Sequence, residues 1–188
     1  MHDAGASLAG VSAVAAGIVF VISGACLAVF FSTDIEAWGR ANDATIALFA
    51  VLMIPVVVDL HGQVFGVATM LGVAGLLVIA VTSGLTAMAK LDWLLSGKIG
   101  GAGFGGFLAW ITALCVAILR DGGLPAGLAW FGLVTVAILG VMLVLALRFV
   151  RTHGSFTEGV EPPVGMWIAF AAAFLCVPVW TLWLGVSL

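Results

Sequence analysis

The chain has 188 residues, 64% of them hydrophobic and 8% charged, with a mean hydropathy of +1.32 and a net charge of −3. Soluble domains carry about 25% charged residues, so water is excluded as the main solvent. The dispersed charge forms no basic stripe and no aromatic–basic interleaving, which argues against a nucleic-acid partner.

Polar punctuation falls at 32–43, 59–63, 89–101, 120–123 and 148–163. It leaves six apolar runs, near 8–31, 41–60, 64–88, 103–119, 124–147 and 164–187. Each approaches the roughly 20 apolar residues that a membrane helix needs. The expected fold is all-α: a polytopic membrane bundle of six transmembrane helices, forming a single domain over 1–188 with no soluble domain.

The first run continues to Phe31 with no Lys/Arg segment ahead of it. It is too long for the apolar core of a secretion signal, about 7–15 residues, so a first membrane helix is expected rather than a cleaved leader. Gly10, Gly17 and Gly24 recur along it at intervals of seven, with Ala6, Ala13 and Ala28 at nearby offsets. Small residues let helix backbones approach closely where lipid supplies no hydrophobic drive. The stripe suits packing inside the bundle or the seam of a homo-oligomer or protein partner.

The apolar stretch from Ala44 to Met88 is too long for one span and has to reverse once, within "PVVVDLHGQVFG". Gly62 suits a tight reversal, and Asp59 can accept from backbone N–H groups there. Asp59 and His61, two apart, do not share a helix face. They read as a polar cap on a turn rather than an intramembrane pair. Pro55, and Pro178 in the last run, each remove an intrahelical hydrogen bond and are expected to bend their helices.

"GKIGGAGFGG", 97–106, departs from the phosphate-loop order, because Lys98 precedes most of the glycines and no Ser or Thr follows it. Gly97, Gly101 and Gly105 recur every four residues, which predicts a flexible approach that becomes the tight face of helix four. Lys90 and Lys98 suit anionic lipid head-groups. After helix four, Gly122 and Gly123 can take positive φ, and Pro125 suits the first turn of helix five. Arg120 and Asp121 share their membrane face with Asp59 and His61. Opposite charge and shared sidedness predict an Asp59–Arg120 pair in a polar cluster of these four residues.

Arg148 and Arg151 end helix five, where cations favour the helix dipole, and they join the candidate lipid head-group contacts. His153, Glu158 and Glu161 follow at a spacing that matches no metal motif, so no metal is expected. With six spans, Arg40, Lys90, Lys98, Arg148 and Arg151 fall on one face and Arg120 alone on the other. That bias predicts both termini on the non-cytoplasmic side. Trp38, Trp93, Trp130, Trp167, Trp180 and Trp183 fit interfacial belts, whereas Trp110 falls inside helix four.

Absences narrow the function. Cys26, Cys115 and Cys176 lie in separate apolar runs, which suggests neither disulfides nor zinc. None of His2, His61 and His153 is deep enough to ligate a haem. Lys90 and Lys98 stand at span ends, unsuited to a retinal Schiff base. The expected spans hold no ionisable residue near their middles, which argues against a proton-coupled pump or transporter. No catalytic set and no cofactor site is evident. The favoured reading is a non-catalytic accessory, assembly or lipid-interacting bundle whose partner is the lipid bilayer. The alternative is a transporter or conduit for a small neutral or apolar molecule, for which a continuous cavity lined by Thr69, Thr82, Ser83, Thr112 or Thr135 would speak.

The hairpin "ILRDGGLPAGLAWFGLV", Ile118 to Val134, resembles a pattern in small bacterial six-helix membrane proteins of the domain-of-unknown-function families. There an Arg, a short turn, Leu-Pro and a Leu-x-Trp-x-Gly sequence join helices four and five. Arg120, Leu124, Pro125, Leu128, Trp130 and Gly132 carry the likeness, and the close "PVWTLWLGVSL" is similar to their last helix. The resemblance covers the second half of the chain. It implies a six-helix bundle in a bacterial cytoplasmic membrane, and no activity.

Overall fold

The structure, a computed structural model, describes residues 7–153 and 163–188, apart from the side chains of Val150 and His153. His2, Glu158, Glu161 and the His153 side chain lie outside the described residues. The described elements are α1 Leu8–Thr33, α2 Glu36–Asp59, a 3-10 turn Leu60–Gly62, α3 Gly66–Ala87, α4 Trp93–Asp121, α5 Ala126–His153 and α6 Val164–Ser187. Six helices are long and apolar enough to cross a membrane. Their outward faces present Val67, Met70, Val144, Leu175 and Val186 to the surroundings. That is the exterior of a multi-pass membrane protein.

Two helix starts differ from the sequence expectation. α2 begins at Glu36, not near 41. Glu36 opens its first turn, and its carboxylate takes Arg40 Nη2 at 2.7 Å, one turn on. An acid before a base at this spacing supports a helix, so polar residues that look like a loop are the helix's interfacial end. α4 begins at Trp93, ten residues before 103. Asp92 caps it, its Oδ1 accepting from Leu94 N at 2.9 Å and Leu95 N at 3.1 Å. The glycine run beyond is therefore helical rather than a flexible approach. A glycine in a helix costs about 1 kcal/mol, whereas each unsatisfied backbone group in hydrocarbon costs several.

Each helix packs on its neighbours in the chain, and α6 returns to α1, closing a ring. The closest approach is between α3 and α4. A Cβ on Gly103 would lie 2.7 Å from the Gly75 carbonyl oxygen, and one on Gly106 2.7 Å from that of Leu71. The tight face of α4 is thus Gly103 and Gly106, not Gly97, Gly101 and Gly105. Gly97 and Gly105 meet nothing within 4 Å, and Gly101 meets only Leu143. Ser96, Gly100, Gly103, Phe107 and Trp110 form the buried stripe, and its alternating steps of three and four bypass the four-residue glycine repeat.

The seam between α1 and α6 uses the other glycine stripe. Cβ atoms on Gly10, Gly17 and Gly24 would lie 2.9 Å from the Gly185 carbonyl oxygen, 2.7 Å from Leu182 and 2.9 Å from Phe174 respectively. A second copy of the chain would have to displace α6 to reach this face.

Aromatic rings fill the middle of the ring of helices. Phe20 meets Phe49 edge-on at 4.8 Å, Phe49 meets Phe107 at 6.0 Å, Phe107 stacks near Trp110 at 5.8 Å, and Trp110 meets Trp180 at 6.5 Å. Trp110, placed mid-helix by the sequence, is wholly buried at 0% exposure. No described protein group accepts from the indole N–H of Trp110 or Trp180.

Gly75→Val would drive a side chain into the α4 backbone, which cannot yield as a side chain can. It is expected to cost about 1–3 kcal/mol. Gly105→Val, on an open surface, should be neutral within about 0.5 kcal/mol. Unfolding midpoints of the two variants in one detergent check the contrast.

Candidate functional site

At the end of the bundle that carries Arg40, Lys90 and Lys98, the helices part around a half-enclosed pocket of about 280 Å³. Five of the six helices give it much of its wall, with Ser83 of α3 completing it. The mouth holds Phe31, Trp93 and Trp167, with Phe31 and Trp167 edge to face at 4.8 Å. The floor, Phe20, Ile46 and Ala173, belongs to the same buried cluster as Phe49, Trp110 and Trp180. The pocket therefore ends on the aromatic centre.

Four polar side chains interrupt the apolar wall: Asn42, Asp43, Ser83 and Ser96. Asp43 stands seven residues beyond Glu36, roughly 10 Å along the helix axis. Among the described residues, no Lys, Arg or His lines the pocket. The nearest cation on α2, Arg40, gives both its Nε and its Nη2 to Glu36 Oε1, at 3.2 and 2.7 Å. Asn42 Oδ1 accepts from Ser23 Oγ of α1 at 2.7 Å, which fixes this turn of α2 against α1 and leaves the Asn42 amide N–H groups over.

Asp43 is the residue that sequence reasoning missed. With helix two expected from 41, it reads as a loop-end residue. The Glu36–Arg40 spacing was the available signal: it extends the helix back one full turn and carries Asp43 into the span. Ser96 was hidden in the same way by the late start expected for helix four.

The residues expected on the weakly charged face lie elsewhere. Arg120 and Asp121 line a groove of about 660 Å³ with Gly62, Gln63 and Phe65, so the turns after α2 and α4 do adjoin. Asp59 and His61 are exposed and are not among its lining residues. Arg120 Nη2 pairs with Asp121 at 2.7 Å, and its guanidinium lies 6.0 Å above the Phe65 ring. No ion pair joins it to Asp59 among the described residues. A carboxylate one residue away engages Arg120 with less chain ordering than one on another turn. His61 Nδ1 lies 2.8 Å from the Val58 carbonyl oxygen, within its own turn. Gly122 and Gly123 take φ of 79° and 91°, as their place in the turn predicts.

Lys90, Lys98, Arg148 and Arg151 are exposed. Lys98 also lines a groove of about 100 Å³ that adjoins the pocket through Trp93, Gly97 and Leu143. Of the polar residues that a conduit would use, Ser83 alone lines the pocket. Thr82, Thr112 and Thr135 turn their hydroxyls back to their own helices, onto Val78, Leu108 and Phe131 carbonyls. Cys26 and Cys115 are free and buried. No group of His, Cys, Asp and Glu able to hold a metal occurs among the described residues. No protein-family model, curated protein or solved structure matches this chain.

The Asp92 cap sets where α4 begins and hence where Trp93 and Ser96 stand at the pocket. Asp92→Ala is expected to cost about 1 kcal/mol, read as a lower unfolding midpoint. Asp92→Asn or Asp92→Ser should recover most of it.

Proposed function

We propose that this chain is a non-catalytic, lipid-interacting membrane protein that binds an amphiphile in the pocket at the end that carries most of its Lys and Arg residues. The carrying observation is the pocket's shape: an aromatic mouth, an apolar wall with few polar groups, and a floor closed by Phe20, Ile46 and Ala173. Ligand sites are typically concave, mostly apolar cavities of about 300–1,000 Å³ with a few placed polar groups. Its volume of about 280 Å³ suits a short apolar body or one segment of a longer chain. Lys98 in the adjoining groove, with Lys90, Arg148 and Arg151 at the same end, suits the phosphates of surrounding lipid.

The conduit reading has less support. Phe49, Met53, Phe107, Trp110, Leu114 and Trp180 are wholly or almost wholly buried beneath the pocket, and Thr82, Thr112 and Thr135 spend their hydroxyls on their own helices, although the buried Thr69 hydroxyl has no partner among the described residues. A passage would need these rings to move apart.

Gly97 provides the test. It lines the pocket, and a Cβ there meets nothing within 4 Å, so Gly97→Phe fills the mouth without straining the fold. The variant is expected to keep its unfolding midpoint and to lose at least tenfold in binding of a fluorescent octyl amphiphile, measured in nanodiscs. Unchanged binding would refute the assignment. Undiminished solute entry into proteoliposomes made with a binding-deficient variant would favour the conduit.

The proposed orientation puts the Lys98 end in the cytoplasm of a bacterial cell, with both termini outside, on the Lys and Arg bias. In intact cells a membrane-impermeant maleimide should label Arg120→Cys, and Lys98→Cys only after permeabilisation. The reverse pattern would invert the topology.

A further inference from the structure

Asp43 gives the pocket a sign. It is the one charged residue among the described residues that line the pocket. It stands inside a membrane-spanning helix, and the cation one turn away is held by Glu36. Intramembrane carboxylates characteristically face a cavity and find a counter-charge there. While the carboxylate is ionised, a neutral or anionic ligand would leave it without one. Ser96 adds a second polar group to the wall: it is only 8% exposed and lines the pocket. Around these groups stand the rings of Phe31, Trp93, Trp167 and Phe170. Aromatic faces attract organic cations, by about 0.5–2 kcal/mol per well-placed ring, and repel anions.

We propose that the pocket takes a ligand bearing one ammonium group on an apolar body, with Asp43 as its counter-ion and the surrounding rings as its cage. This rests on the amphiphile reading above and adds the charge of the head. The Asn42 amide and the Ser83 and Ser96 hydroxyls supply further hydrogen-bonding groups for the head and its solvation. The apolar tail lies toward Ile46, Leu139 and Ala173. Two sources offer this chemistry: a free lipophilic amine and an ethanolamine-headed phospholipid. With the phospholipid, Lys98 in the adjoining groove is the cation available to its phosphate.

The test uses the full chain in nanodiscs of phosphatidylglycerol, which contain no amine, with empty discs as the partition blank. Calorimetric titration compares octyltrimethylammonium with 1-octanol. The wild-type chain is expected to bind the cation at least tenfold more tightly than the alcohol. Asp43→Asn should lower cation binding at least tenfold and leave octanol binding unchanged. Equal affinities for cation and alcohol in the wild type overturn the proposal, whether or not the variant folds. Octanol binding that Gly97→Phe abolishes would then show that the amphiphile pocket survives without its charge preference. No binding of either probe removes both readings. Native mass spectrometry of protein purified from mixed-lipid membranes separates the sources. Phosphatidylethanolamine retained by the wild type and lost in Asp43→Asn assigns the phospholipid. Octyltrimethylammonium binding with no retained phosphatidylethanolamine assigns a free amine.

Discussion

Between α3 and α4 the backbones touch, with Gly75 against Gly103 and Leu71 against Gly106. In a hydrocarbon solvent, helices gain little by hiding leucine from their surroundings, so close van der Waals fit has to hold them. Much else follows from this contact. It fixes the rotation of α4, which turns Phe107 and Trp110 inward one and two turns further on. Those rings meet Phe49 and Trp180 and close the centre of the bundle. The same rotation, carried back toward the start of the helix, faces Ser96 and Gly100 into the space that remains. The plug and the pocket are thus two ends of one helical stripe.

The pocket exists because the aromatic fill is not symmetric. Bulky buried rings concentrate from Phe20 and Phe49 toward Trp180, while the charged end of α4 carries glycines at 97, 100 and 101. Glycine makes a gap there without breaking the helix, since the hydrocarbon penalises unsatisfied backbone more than glycine's flexibility does. A polar handful of side chains at that level, Asn42 and Asp43 from α2 and Ser96 from α4, then faces a partly enclosed space instead of a packed wall. Packing and chemistry are coupled: the glycines of α4 are what leave Asp43 facing open space in the pocket.

The number of helices, their order and their turns are legible in the sequence because hydropathy is a long-range signal that one misplaced residue does not disturb. The reversal at Asp59–Gln63 and the positive φ at Gly122 and Gly123 were readable for the same reason: the chain had nowhere else to turn. The interfacial helix ends were not, since at a membrane surface polar residues belong to helix and loop alike. Five residues at the start of α2 decide whether Asp43 is a loop residue or a span residue, and with it the character of the site. The glycine face of α4 was misplaced because sequence spacing gives candidate stripes, while the partner helix selects among them. Gly97, Gly101 and Gly105 make the neater repeat, but Gly103 and Gly106 are the ones that α3 touches. Arg120 illustrates a further limit. Shared sidedness points to Asp59, but a neighbouring carboxylate, Asp121, engages Arg120 by proximity.

The closure of α6 on α1 has a consequence for how the protein is made. The other extensive helix interfaces form between neighbours in the chain, so each can assemble as the ribosome delivers the next span. The α1–α6 seam joins the most distant elements, and contacts of such separation form late. Until α6 arrives, the glycine face of α1 at Gly10, Gly17 and Gly24 is bare, and the α1 side of the pocket, with Phe31, has no Trp167 opposite it. The nascent chain therefore passes through a stage in which a glycine face fitted for close packing is uncovered. α6, made after the other five helices, is what covers that face of α1.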